Sequence, residues 1–261
     1  MSRQHRPGVQ LLLTLLLVVM ATPLPAGDPQ PTITIIIDDI GNRLNSDSRA
    51  ISLPGPVSYA VLPHTPYAGR MARLAHRLDK DVLVHLPMEA GVADHLLGPG
   101  ALRRDMSASE FSAAVHAGIA AVPHAVGISN HMGSVLTGDS HAMQQLMRLL
   151  QPTGLLYLDS YTNADSVAGE SAAHHRVPYL RRDVFLDNDR DPDAIRRQFA
   201  RLLTLARERG RAIAIGHPHP ETLAVLSELL PQLNLLGVQL VGIRAMLNQE
   251  AESWQQLSSS R

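Results

Sequence analysis

Two adjacent carboxylates, Asp38 and Asp39, follow the apolar run Ile33–Ile37 in the stretch I-T-I-I-I-D-D-I-G. The carboxyl end of a buried strand is where α/β enzymes keep reactive groups, so the pair reads as a catalytic or ligating candidate. Asp-Asp-x-Gly equally suits a turn that caps a following helix, and the pair alone leaves both readings open. Further polar residues end other strand-like runs: His85 in H-L-P-M-E, Asn130 and His131 in N-H-M-G-S, Asp159 in L-D-S-Y-T and His217 in I-G-H-P-H-P. A single strand-end histidine is ordinarily bonded to backbone, and Asp159 before Ser160 suits a turn, but the recurrence at five strand ends favours a site. Imidazoles and carboxylates around an open position are the donor set of a metal hydrolase, in which a cation polarises a carbonyl and acidifies water.

These residues need elements to position them. Strands are predicted at Ile33–Ile37, Val57–Val61, Val82–His85, Ala125–Ser129, Leu155–Asp159, Val177–Leu180, Ala212–Gly216 and Val238–Val241. Amphipathic helical patterns lie between them at Tyr67–Leu78, Ala108–Ala121, Ala142–Leu150, Pro192–Arg209 and Glu221–Leu230. Alternation of this kind predicts parallel strands joined by right-handed crossovers. Ser107 with Glu110 forms a capping box, and Asp191 before Pro192 an N-cap with proline at the first helical position. The stretch Leu86–Met106, with three Gly and two Pro, reads as a long loop on the strand-end face. Seven or eight βα units fit a small or incomplete barrel better than an open sheet, in one domain over residues 32–248 with a polar, frayed tail over 249–261. His64, His76, His95, His116, His124 and His141 read as surface residues, and His174–His175 as cations at a helix end.

Composition narrows the function. The chain has 261 residues, 45% hydrophobic, enough for a substantial core. A formal charge of -1 and only 3% aromatics argue against a nucleic-acid partner. Thirteen His and no Cys direct any metal site toward imidazole and carboxylate, and exclude thiolate clusters. Arg3 and Arg6, the apolar core Leu11–Ala21 and the segment Pro23–Ala26 form a signal-peptide pattern over residues 1–26. Its core of 11 residues is shorter than the roughly 20 of a spanning helix. The expectation is therefore export to the periplasm or cell envelope, with no stable membrane insertion once the leader is cut.

The segments I-I-D-D-I-G, V-L-V-H-L-P-M-E, V-G-I-S-N-H-M-G-S, L-D-S-Y-T, R-R-D-V-F-L-D and A-I-G-H-P-H-P cover nearly the whole mature chain. In type and order they resemble the divergent polysaccharide deacetylase family, an exported branch of the metal-dependent sugar N-deacetylases. The resemblance implies a distorted (β/α)7 barrel in a single domain. It also implies that Asp38 is the general base, Asp39 a metal ligand, His85 the first of two ligating histidines four residues apart, and His217 the general acid. The chain departs from that pattern, because Glu89 stands four after His85. Either Glu89 ligates, or His131 supplies the second imidazole; His131 is preferred because Asn130-His131 ends an adjacent strand. The superfamily's usual Arg-Pro-Pro-Tyr segment is absent, which leaves oxyanion stabilisation unassigned.

The resemblance thus implies removal of N-acetyl groups from an envelope poly- or oligosaccharide, with a divalent cation, zinc first, held by Asp39, His85 and His131. Asp159 and Asp183 would orient the acid or base. Arg182 would face a substrate anion or form a surface salt bridge, while Glu89 and Asn130 line the substrate or back the ligands. Two rivals remain open: a non-catalytic envelope protein that binds a glycan or partner on this fold, and a metal hydrolase acting on another bond, such as an ester or a phosphate ester.

Overall fold

The structure, a computed structural model, describes residues 30–250 apart from Val92. The expected leader and most of the expected tail lie outside the described residues. In chain order the elements are β1 (Thr32–Ile40), α1 (Leu44–Ile51), β2 (Ser58–Val61), α2 (Ala68–Arg77), β3 (Val82–Met88), α3 (Ala108–Ala121), β4 (Ala125–Met132) and α4 (Ser140–Leu150). There follow β5 (Leu156–Asp159), α5 (Ala168–His175), β6 (Tyr179–Arg181), β7 (Val184–Phe185), α6 (Pro192–Arg209), β8 (Arg211–Gly216), α7 (Pro220–Leu229) and β9 (Gln239–Leu240). Residues 243–250 are helical.

Every ladder is parallel, in the order β6-β5-β4-β3-β2-β1-β8-β7. One flank of β1 is held by β8; the other is shared, with β9 on Thr32–Ile33 and β2 on Ile36–Ile40. No ladder among the described residues joins β6 to β7, so the curled sheet is a distorted, open (β/α) barrel in one α/β domain.

Two apolar clusters follow from the two-residue period of the strands. The larger contains Ile33, Ile35, Ile37 and Ile40 with the buried faces of the helices, and is the outer layer. The smaller contains Ile36, Ala60, Leu83, Leu156, Leu158, Leu180, Ile213 and Ile215, joined by Ile243 and Met246 of the last helical segment. It holds no residue of α1–α7 and is the barrel interior. Strands buried on both faces read as near-continuous apolar runs, as the sequence shows.

The strand ends differ from expectation in length. β1, β3 and β4 each run about three residues further, so Asp38, Asp39, Asn130 and His131 lie within strands. The expected loop from Leu86 therefore starts after Met88. It carries one short turn of helix at Asp94–Leu96 and is pinned by the Met88–Leu102 bridge. Two short elements, α1 and β7, were not predicted, and of α5 only the end at His174–His175 was; α1 has few apolar residues, and β7 is only two residues long. Gln249 and Glu250, assigned to the tail, are helical, and Gln249 accepts a hydrogen bond from Thr32 at 2.9 Å.

Candidate metal centre

Adjacent strand residues normally face opposite sides of a sheet, yet Asp38 and Asp39 both face the barrel mouth. A bulge explains it. Between Ile37↔Tyr59 and Ile40↔Val61 the register of β1 against β2 slips, and Asp39 takes a φ of 60°. Ile37 and Ile40 then both stay in the outer layer, and the two residues between them turn inward. Such bulges re-aim side chains beside active sites, and an Asp tolerates the left-handed backbone better than most residues.

His85 follows Leu83 on the inner face of β3, and Ser129 and His131 project beside it from β4, in the register pairs His85↔Ser129 and Pro87↔His131. The Asp39 Oδ1 lies 3.0 Å from His131 Nδ1 and 3.4 Å from His85 Nε2, and the two nitrogens are 3.3 Å apart. Donors at ~2.1 Å around a tetrahedral cation stand about 3.4 Å from one another, so the three atoms fit one face of such a site. Asp39 Oδ1 is buried and makes no hydrogen bond of good geometry, a cost that a bound cation would remove. On the far side of His85, Nδ1 sits 2.8 Å from the Oγ of the fully buried Ser129. That contact fixes the ring and leaves Nε2 to face the cluster.

Asp38 lies beside this triad, with Oδ2 3.4 Å from His85 Nε2 and a buried Oδ1 that has no hydrogen-bond partner. Burial pushes its pKa up against the pull of His85 and His217. Burial acts the same way on Asp39, but His131 and His85 overcome it and hold that carboxyl far below the usual range. Adjacent carboxylates, each with an oxygen lacking a hydrogen bond, thus differ in whether burial or the neighbouring imidazoles dominate.

A second cluster sits across the mouth. His217, following β8, directs Nδ1 to Asp187 Oδ1 at 2.9 Å. The other oxygen, Asp187 Oδ2, accepts from the His217 N–H at 2.7 Å and from Thr222 Oγ1 at 2.7 Å. Burial opposes a charge on His217, but the Asp187 hydrogen bond and charge, with help from Asp38 and Asp39, raise its pKa to about 9. Asp187 is held below its ordinary value by the same pair, against the effect of its burial. His219 approaches as a third possible ligand, but both oxygens of Asp187 are filled by donors. This pairing favours a charged His217 and leaves neither oxygen of Asp187 without a hydrogen-bond partner. Asp39 and His217 open onto one cleft of about 250 Å³.

The other expected site residues stand outside the two clusters. Glu89 accepts from the Arg104 backbone N–H at 2.8 Å and its guanidinium at 2.9 Å, which pins the loop after β3. Asn130 faces the outer side: its Oδ1 accepts from Ser160 N–H at 2.9 Å, and its amide donates to the Met132 carbonyl at 2.7 Å. It thereby locks the turn next to His131, where Met132 has a φ of 57°. Asp159 points outward because Leu156 and Leu158 take the inner positions of β5, and it accepts from Ser166 and Tyr179. It does not reach the acid or base. Asp183 sits at the start of β7, accepting from Ile213 N–H and pairing with Arg209. Asp187, four residues on and two past the end of β7, is the carboxylate that meets His217, not Asp183. Arg182 stacks on Phe185 at 3.7 Å and donates to the Ser160 and Tyr161 carbonyls, with no salt bridge among the described residues.

Sequence reasoning missed Ser129 and Asp187. Both had a signal: Ser129 lies two residues before His131 on the same strand face, and Asp187 ends the segment R-R-D-V-F-L-D.

The sequence profile of divergent polysaccharide deacetylases matches residues 35–247. The chain belongs to that family. It is 38% identical over 233 residues to the uncharacterized protein YibQ of Escherichia coli K12, covering 89% of this chain and 71% of that protein. Among solved structures, the uncharacterized protein ATU2773 of Agrobacterium tumefaciens C58 superposes with a TM-score of 0.81 at 25% identity, over 85% of this chain and 91% of that one. Two more distant structures share the fold alone. Peptidoglycan deacetylase PdaC of Bacillus subtilis has a TM-score of 0.51 at 14% identity, over 89% of this chain and 98% of that one. BA3943 of Bacillus anthracis, a pseudoenzyme of carbohydrate esterase family 4, has a TM-score of 0.50 at 13% identity, over 84% and 66%. The family thus agrees with the resemblance read from the motifs, and no helix among the described residues is long and apolar enough to cross a membrane.

Proposed function

We propose that this chain is an exported, metal-dependent hydrolase that removes N-acetyl groups from an envelope poly- or oligosaccharide. The observation that carries the reading is the convergence of Asp39, His85 and His131 on one point, with Asp38 and the charged His217 to either side. Asp39, His85 and His131 would hold a divalent cation, and their two nitrogens and one oxygen suit zinc. When bound, it would polarise the acetyl carbonyl and make water a better nucleophile.

The chain's own groups then divide the proton transfers. Asp38 has a spare oxygen to accept a proton from the attacking water, and would stay ionised despite its burial with a cation held at Asp39. His217 keeps Nδ1 on Asp187, so Nε2 is the nitrogen that gives a proton to the departing amine as the C–N bond breaks. Water and amide become acetate and free amine, with one proton taken by Asp38 and one given by His217. The export step rests on the leader pattern of residues 1–26 and the envelope substrate of PdaC.

The test is acetate release by the zinc-supplemented protein from a panel of N-acetylated oligosaccharides. Release supports the reading. Binding of a glycan without release from any of the panel would favour the non-catalytic rival, and turnover of O-acetyl or phosphate esters alone would favour the other.

A further inference from the structure

The cleft that joins Asp39 to His217 is lined by no Phe, Tyr or Trp among the described residues, but by two arginines, Arg43 and Arg190. Arg43 comes from the loop after β1 and Arg190 from the loop before α6. In the sheet order β1-β8-β7, these two loops flank the β8 loop that carries His217 and His219. Both guanidiniums are exposed, and neither has a hydrogen bond or ion pair among the described residues.

The acids that might neutralise them are turned elsewhere. Asp47, in the same cleft, accepts from the backbone N–H of Gly41 and Arg43 and from Ser46 Oγ. Asp189 accepts from Asp191 N–H, and Asp191 caps α6 through Asp193 and Ala194. Asp39 and Asp47 keep their charges in the cleft, but neither bonds a guanidinium, so the N–H groups of Arg43 and Arg190 are left for a ligand, and a guanidinium is the side chain best shaped to grip a carboxylate or phosphate.

We infer that Arg43 and Arg190 select an anionic saccharide, one whose carboxylate or phosphate lies beside the acetamido group presented to Asp39. The inference rests on the deacetylase reading for the placement of that acetamido group. It predicts a preference for charged glycans that falls as salt rises, since exposed ion pairs are screened.

The experiment measures binding by calorimetry and acetate release side by side, for the zinc-supplemented wild type, Arg43→Gln, Arg190→Gln and the double variant. Four probes are used: neutral N-acetylglucosamine and its tetramer, a hyaluronan tetrasaccharide, and N-acetylglucosamine 1-phosphate. The wild type should bind hyaluronan tetrasaccharide or the phosphate at least about tenfold more tightly than a neutral sugar of matching length, and the double variant should bring that ratio to within about twofold of unity. The stronger of the two charged probes identifies carboxylate or phosphate as the anion. Equal wild-type affinity for charged and neutral sugars, or a preference that survives in the double variant, would overturn the inference. Charge-selective binding with no acetate released would overturn the deacetylase reading and leave the selection standing. Both arginines are exposed, so unchanged thermal melts should accompany every variant.

Discussion

Two clusters face each other across the barrel mouth, both built from Asp and His, and they differ in what their carboxylates lack. In the Asp39–His85–His131 group a buried carboxylate oxygen has no hydrogen bond, and neighbouring Asp38 has another. In the Asp187–His217–His219 group both carboxylate oxygens accept, three donors in all. A carboxylate left unfilled among lone pairs is poised for a cation; one filled by donors keeps its histidine charged. Residue type alone does not separate a metal site from a proton-holding pair. The surrounding donors do.

The largest break in this comparison comes from Asp39→Ala or His85→Ala. Each should abolish tight cation binding, and turnover with it, a loss greater than the roughly 10–100-fold that follows removal of a group behind a ligand. Elemental analysis of dialysed protein checks it. Next, Asp38→Asn and His217→Ala should keep the cation while lowering turnover by about 10²–10⁴-fold, as loss of a proton-transfer group does. Wild-type turnover in both variants would return these residues to structural roles.

Ser129→Ala should weaken zinc binding by about 10–100-fold, because the hydroxyl at His85 Nδ1 fixes the ring and its tautomer. A zinc titration reads the affinity, and nitrogen NMR of the imidazole reads the tautomer. An unchanged affinity and tautomer would remove Ser129 from the site.

Asp187→Asn sharpens the other side, through pH. The pKa of His217 is raised to about 9 from an ordinary ~6.5, so the pair's contribution is complete below the ordinary value and is lost as pH rises through about 9. The alkaline limb of activity should fall near pH 9 in the wild type. In Asp187→Asn it should move down toward the ordinary value, because burial is then opposed only by the charges of Asp38 and Asp39. A pH profile that ignores the substitution would show that His217 is not the acid.

The strand alternation, the barrel and most of the mouth were legible in the sequence, because buried parallel strands announce themselves as β-branched runs ending in polar residues. His85 and His217 were found this way. What was not legible depended on geometry between strands. The bulge that turns Asp39 inward is a register slip against β2, and no single strand encodes it. Asp159 looked like its neighbours, yet the parity of Leu156 and Leu158 sends it to the outer layer. Asp183 and Asp187 share one short segment, and only the pairing of β7 with β8 decides which end meets His217. Glu89 occupied the position of a missing histidine in sequence, but the partner that claims it, Arg104, comes from the far side of a loop.

The most direct test of the central division is an anomalous-difference map from crystals grown with zinc, collected at the zinc edge. One strong peak among Asp39 Oδ1, His85 Nε2 and His131 Nδ1, with none beside Asp187, is the predicted result. A peak coordinated by Asp187, His217 and His219, or by Glu89 in place of His131, would contradict it.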